Sequence, residues 1–203
     1  INLIQFGIRR PAIWNINTFK IIKNAKCDII TPDSLIDSKL KIKIQEQKNL
    51  ITKQILELYR QDEILSQYFS YEGYSFWCAI KPIIQKLFEK RIEHIARDIQ
   101  TIKALFQKIT IDTAVILSEI GITEQIVINE SKKYGIKLAL LQHGVYYDTK
   151  EAKETNLSKG LYPVKSDKFL IWGKVSESDS KNNGFIEPTK LKIIGHPGYD
   201  SWK

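Results

Sequence analysis

The sequence predicts an α/β fold whose second half holds a parallel sheet. Three observations carry this expectation. An apolar run of buried-strand type, "DTAVILSE", is followed by a helical stretch, "GITEQIVINESKKYG", and by a second apolar run, "IKLALLQHG", at ordinary crossover length. Two more apolar runs, "KFLIWGK" at 168–174 and "KLKIIGHPGYD" at 190–200, continue the series. Ahead of them lie two long stretches whose apolar residues recur at steps of three and four.

Taken in order, the chain begins with two short strand-like pieces, "INLIQFGI" and "CDIIT", around a helical fragment, "NTFKIIKNA", punctuated by Pro11 and Pro32. A helix is expected from about Ser38 to Gln61, capped by Asp37 or Ser38, with Leu40, Ile44, Ile51, Ile55, Leu58 and Tyr59 on its apolar side. A turn falls at "SYEGYSFW". A second helix is expected from about Lys81 to Lys108, with Pro82 in its first turn, where a missing N–H has no intrahelical partner anyway. Its stripe is Ile84, Leu87, Phe88, Ile92, Ile95, Ile99, Ile102 and Phe106, and its other face carries Lys86, Lys90, Arg91, Arg97 and Asp98. His94 is expected to flank the stripe and pack there. The helix after "DTAVILSE" stops at Gly135. "SESDSKNNGFIEP" reads as a polar connection with about one helical turn. The strands should end near Ser118, Gln142, Trp172 and Gly195.

At 203 residues and 43% hydrophobic content, the chain is long enough for one substantial core, or for one domain and part of another. No apolar run approaches the roughly 20 residues that span a bilayer. The start shows no signal-peptide pattern. The sequence contains no Met and reads as a fragment, or as the ordered part of a longer chain. Cys27 and Cys78 form no C-x-x-C and are expected as buried, reduced thiols. The net charge of +8 favours anionic partners, or reflects only a lysine-rich solvated surface.

Ligands of open parallel sheets lie beyond the strands' carboxyl ends. There the sequence places Ser118, Glu119 and Gly121; Gln142, His143 and Gly144; Trp172, Gly173 and Lys174; and Gly195, His196 and Pro197. An imidazole at His143 suits a general base, because its ordinary pKa lies near operating pH. Glu119 would end a neighbouring strand and could fix the tautomer of that ring. Alternatively, His143 bonds to backbone and merely terminates its strand. "GHPGYD" either exposes backbone N–H groups to a phosphate or makes a plain turn. No phosphate-binding loop, dinucleotide fingerprint, nucleophile elbow or metal-ligand spacing is present in the sequence. Nucleic-acid binding would rest on charge alone.

The order "TAVILSE", "GITEQIVINESKKYGIKLALLQHGVY", "YPVKSDKFLIWGK" and "KLKIIGHPGYD" resembles the amino-terminal half of GT-B-type glycosyltransferase-like proteins of capsule and surface-polysaccharide biosynthesis. "FSYEGYSFWCAIKPIIQKLF" is similar to the segment ahead of that core, so the resemblance covers roughly residues 62–203. It implies a Rossmann-like acceptor-side domain over 62–203 that ends at the crossover to a second domain. Residues 1–61 would then hold partial amino-terminal strands and a long helix. It further implies sugar transfer from a nucleotide sugar to a glycan or lipid-linked acceptor, with no metal or other cofactor required. His143 would act as base or phosphate contact with Glu119 as its partner. Gln142, Gly144, Ser118, Gly121, His196 and Gly195 would line the substrate. The expected setting is cytoplasmic, with peripheral contact to an anionic membrane surface. The alternatives on this scaffold are an epimerase-like or glycerophosphotransferase-like enzyme and a non-catalytic glycan-binding domain.

Overall fold

The structure is a computed structural model. It describes residues 2–4, 20, 24, 28–30, 32–144, 149–151, 154–155, 162–182 and 186–196. The chain divides into two compact units, residues 1–34 with 105–203, and residues 35–104. The boundary expected after residue 61 lies within the second of these.

The second unit is built on two long helices. α1 (Ser38–Tyr59) starts where Asp37 accepts the Leu40 N–H at 2.7 Å, which satisfies an amide that the helix itself leaves unpaired. α2 (Asp62–Tyr68) follows directly, with Asp62 and Glu63 complementing the positive end of its dipole. Strands β3 (Ser70–Tyr71) and β4 (Tyr74–Ser75) pair antiparallel. Their turn places Glu72 at φ 50° and Gly73 at φ 83°, the left-handed pair that a two-residue hairpin of this twist requires.

α3 (Trp77–Lys108) begins a full turn before the expected Lys81, so Pro82 sits inside the helix rather than in its first turn. Anchoring of Trp77 accounts for the difference. Its ring is buried, its indole N–H donates to Asp62 at 2.7 Å, and its backbone N–H reaches the Ser75 hydroxyl at 3.3 Å. Phe69 stacks on Trp77 at 5.2 Å between ring centroids, and Tyr59 lies 6.3 Å away. Gln47 meets Gln100 and Lys48 meets Glu93, while Tyr59 meets Phe88, so α1 and α3 run antiparallel.

The α3 stripe is buried from Ile92 through Ala96 and Ile102 to Phe106, but Leu87 and Phe88 at its near end are exposed. His94 is also exposed, with Nδ1 3.3 Å from the Lys90 carbonyl, rather than packed against the stripe. Cys78 is a free, exposed thiol instead of a buried one. Cys27 lies outside the described residues.

In the first unit, β1 (Asn2–Ile4) and β2 (Asp28–Ile30) form a parallel pair. The helical fragment expected between them falls mostly outside the described residues. The main sheet has four parallel strands in the order β5-β6-β7-β8: Thr113–Ile116, Lys137–Leu141, Lys168–Ile171 and Leu191–Ile193. Helices α4 (Ile122–Tyr134) and α5 (Lys174–Asn182) connect β5 to β6 and β7 to β8. The fold is thus α/β with a parallel sheet flanked by helices.

Burial follows sheet position. Leu138, Ala139, Leu140 and Leu141 of central β6 are all buried, as a strand covered on both faces demands, whereas Val115 and Ile193 on the edge strands are exposed. Gly135 ends α4 in the left-handed conformation, φ 67°. α5 is longer than the single turn expected from its polar sequence. Tyr162, itself buried, donates its hydroxyl to Asp179 at 3.2 Å, and Ser180 is buried, so tertiary contacts support a helix with no apolar stripe.

Candidate functional site

The four strands of the main sheet run in chain order without reversal. The site is therefore defined by where the carboxyl ends lead. β6 leads into Gln142, whose side chain is buried and bonded through both its oxygen and its nitrogen. Its Oε1 accepts the Trp172 N–H at 2.9 Å, and its Nε2 donates to the Gly144 carbonyl at 2.9 Å. One amide thus ties the end of β6 to the end of β7 and fixes the turn that carries His143. The imidazole of His143 is half-buried. It is neither sealed into the core nor fully in water.

β7 ends in Trp172 and Gly173. The Gly173 carbonyl accepts the Glu177 N–H at 3.0 Å, so α5 starts immediately beyond the strand. β8 is followed by Ile194, whose N–H still pairs with the Ile171 carbonyl at 2.9 Å, and by Gly195 at φ 82°. That left-handed residue turns the chain so that His196 meets Trp172, with ring centroids 4.1 Å apart and planes at 73°. Among the described residues, side chains added at Gly144, Gly173 or Gly195 would meet no atom within 4 Å, so each of these glycines borders open space at the strand ends. Pro197 and the rest of "GHPGYD" lie outside the described residues.

The β5 end behaves differently. Glu119 is 3% exposed, and its carboxylate is bound to the segment that enters β7. Oε2 accepts the Val164 N–H at 3.0 Å and the Lys165 N–H at 2.8 Å. Oε1 accepts the Ser166 N–H at 2.8 Å and the Ser166 hydroxyl at 2.6 Å. Four donors on two oxygens supply the polar environment that a buried carboxylate needs. Glu119 was expected to orient His143; the bonds it makes in this structure secure residues 164–166.

Ser118 accepts the Ile120 N–H at 3.3 Å within the same turn. Gly121 is the N-cap of α4, where a Cβ would collide with the Glu124 carboxylate. The amino end of α4 is therefore already faced by a negative group of its own chain.

The structure thus brings together Gln142, His143, Gly144, Gly195 and His196 through Trp172, and commits Glu119, Ser118 and Gly121 to the turn after β5. Trp172, which the sequence places at a strand end without a role, is the residue that links them; a Trp-Gly pair closing an apolar run signals a large ring there. Among the described residues, no group of three His, Cys, Asp or Glu side chains is placed to hold a metal ion, and no helix is long and apolar enough to cross a membrane.

Comparison with known proteins gave no matching family model, no matching curated protein and no matching solved structure.

Proposed function

We propose that this chain is the acceptor-side half of a GT-B-type glycosyltransferase-like enzyme, which moves a sugar from a nucleotide sugar to a surface-polysaccharide or related acceptor. The observation that supports the reading best is the half-buried His143, held on a turn clamped by Gln142 and flanked by open space at Gly144. An imidazole so placed suits a base that takes the proton of an acceptor hydroxyl as it attacks the anomeric carbon. The nucleotide phosphate leaves as an anion. His196 and the amino end of α5 beyond Gly173 are the groups of this chain that suit its negative charge. Glu119 contributes indirectly in this scheme, by holding the entry to β7 in place.

The test is product analysis with the full-length polypeptide, a panel of nucleotide sugars and a glycan acceptor. Sugar appearing on the acceptor supports the proposal. An epimerised nucleotide sugar, transfer of phosphoglycerol from a CDP-alcohol, or glycan binding without product would each replace it with one of the alternatives on the same scaffold.

A further inference from the structure

One large ring at the strand ends has no part in the scheme so far. Trp172 directly follows β7, which lies between β6 and β8 in the sheet. Neighbouring strands stand roughly 4.8 Å apart, so the ends of β6 and β8 are separated by about 10 Å. His143 follows β6 and His196 follows β8, with Trp172 on the strand between them. The Trp172 backbone is held by its N–H bond to Gln142 at 2.9 Å, and its ring is braced by the His196 ring, 4.1 Å away with the planes at 73°. The two rings therefore make a corner rather than a stack. Both residues are half-buried, so each keeps part of its surface in solvent. Among the described residues, no acceptor meets the Trp172 indole N–H, and a side chain added at Gly144, Gly173 or Gly195 would have room.

Resting on the sugar-transfer reading, we infer that the Trp172 ring is the platform for the sugar in transit and sets which sugar is accepted. In the transfer step the acceptor oxygen bonds to the anomeric carbon and gives its proton to His143. The bond from that carbon to the phosphate oxygen breaks, and its electron pair leaves with the nucleotide. The base belongs to the end of β6 and His196, which suits the leaving anion, to the end of β8, so the pyranose in transit lies over the end of β7. A pyranose has a face lined by C–H bonds, which packs on an aromatic ring while its hydroxyls stay free for hydrogen bonds; the indole N–H supplies one donor for them. The anomeric carbon gains oxocarbenium character as the phosphate departs, and the π face of a tryptophan attracts developing positive charge. An axial hydroxyl on the stacked face holds a sugar off the ring, so the same contact tells epimers apart.

The experiment is steady-state kinetics of the full-length polypeptide on the nucleotide sugar found by product analysis and on its C4 epimer; for a glucose donor these are UDP-glucose and UDP-galactose. Trp172→Phe retains a π face and should keep the wild-type preference. Trp172→Leu fills much of the space without one. It should lower kcat about tenfold and bring the kcat/KM values of the two epimers together. The bond to Gln142 uses the backbone N–H and survives in both variants, and circular dichroism checks their fold. If the wild type transfers sugar and Trp172→Leu keeps both its rate and its epimer preference, the inference is overturned while the sugar-transfer reading stands. Equal losses in the two variants with an unchanged epimer preference also overturn it, because the ring would then only brace His196. A wild type that transfers no sugar overturns the sugar-transfer reading, and the inference falls with it.

Discussion

Gln142 and Trp172 are joined by a side chain rather than by the strand ladder alone: the Gln142 Oε1 accepts the Trp172 N–H at 2.9 Å where β6 and β7 end. The same amide donates to the Gly144 carbonyl, so it determines where His143 and the Trp172 ring stand. Gln142→Leu removes both bonds and leaves the part-buried Trp172 N–H and Gly144 C=O without this partner, a loss of about 0.5–1.5 kcal/mol for each bond. Gln142→Glu keeps the acceptor but loses the donor to Gly144. Urea denaturation should rank the wild type above both variants; a Gln142→Leu midpoint equal to wild type would show that the clamp is dispensable.

Glu119 makes a parallel case at the β5 end. Glu119→Ala strands three backbone N–H groups and the Ser166 hydroxyl, and should destabilise the chain, each donor left buried without an acceptor costing about 1–3 kcal/mol. Glu119→Gln keeps one acceptor oxygen and turns an amide NH₂ toward these donors, so a large part of the loss should remain. Thermal unfolding by circular dichroism measures both. A change confined to activity, with unfolding unaltered, would instead return Glu119 to the chemistry.

Acid should weaken the helical unit through Asp62. Its carboxyl is held below the usual carboxylate range, mainly by the hydrogen bond from Lys81 and next by that from the Trp77 indole. A folded-state pKa below the unfolded one stabilises the protein above the unfolded value, and that contribution fades as pH falls through the folded value. Asp62→Asn should therefore flatten the acid limb of the stability profile while changing little near neutrality beyond the loss of the ion pair. An acid limb identical to wild type would contradict this.

The hairpin turn carries a local cost at Glu72, a non-glycine residue at positive φ. Glu72→Gly should stabilise the helical unit by roughly 0.5–1 kcal/mol, because glycine adopts this conformation without the Cβ clash. Gly73→Ala should destabilise it by about as much, through backbone strain alone, since open space surrounds that position. Paired urea titrations should show shifts of opposite sign.

The sheet was legible in the sequence because its central strand is buried on both faces. "KLALL" is apolar without alternation, and the helix before it closes with Gly135. Asp37 was legible as a cap for the same local reason. The start of α3 was not, because Pro82 mimics a first-turn signal and the indole bond that extends the helix links Trp77 to Asp62 across 15 positions. α5 hid its length in a polar sequence and took its support from Tyr162.

The Ser-Asp pair was noted only as part of a pattern, and its roles appear only in three dimensions. Ser166 binds Glu119, and Asp167 accepts the Leu138 N–H at 2.8 Å, extending the β6–β7 ladder with a side chain. Residues that look alike on paper as strand-end polar groups thus separate into strand fasteners, namely Glu119, Gln142 and Asp167, and into His143 and His196, whose neighbouring glycines border open space among the described residues. Spacing cannot make that separation, because it depends on which donors the loops bring within reach.

The most direct measurement is the rate of sugar transfer by full-length His143→Ala, compared with wild type on the nucleotide sugar and acceptor found by product analysis, with circular dichroism in parallel. The account predicts a loss of roughly 10²–10⁴-fold in rate, the usual contribution of a positioned general base, in a protein that unfolds like the wild type. Turnover at the wild-type rate would contradict it.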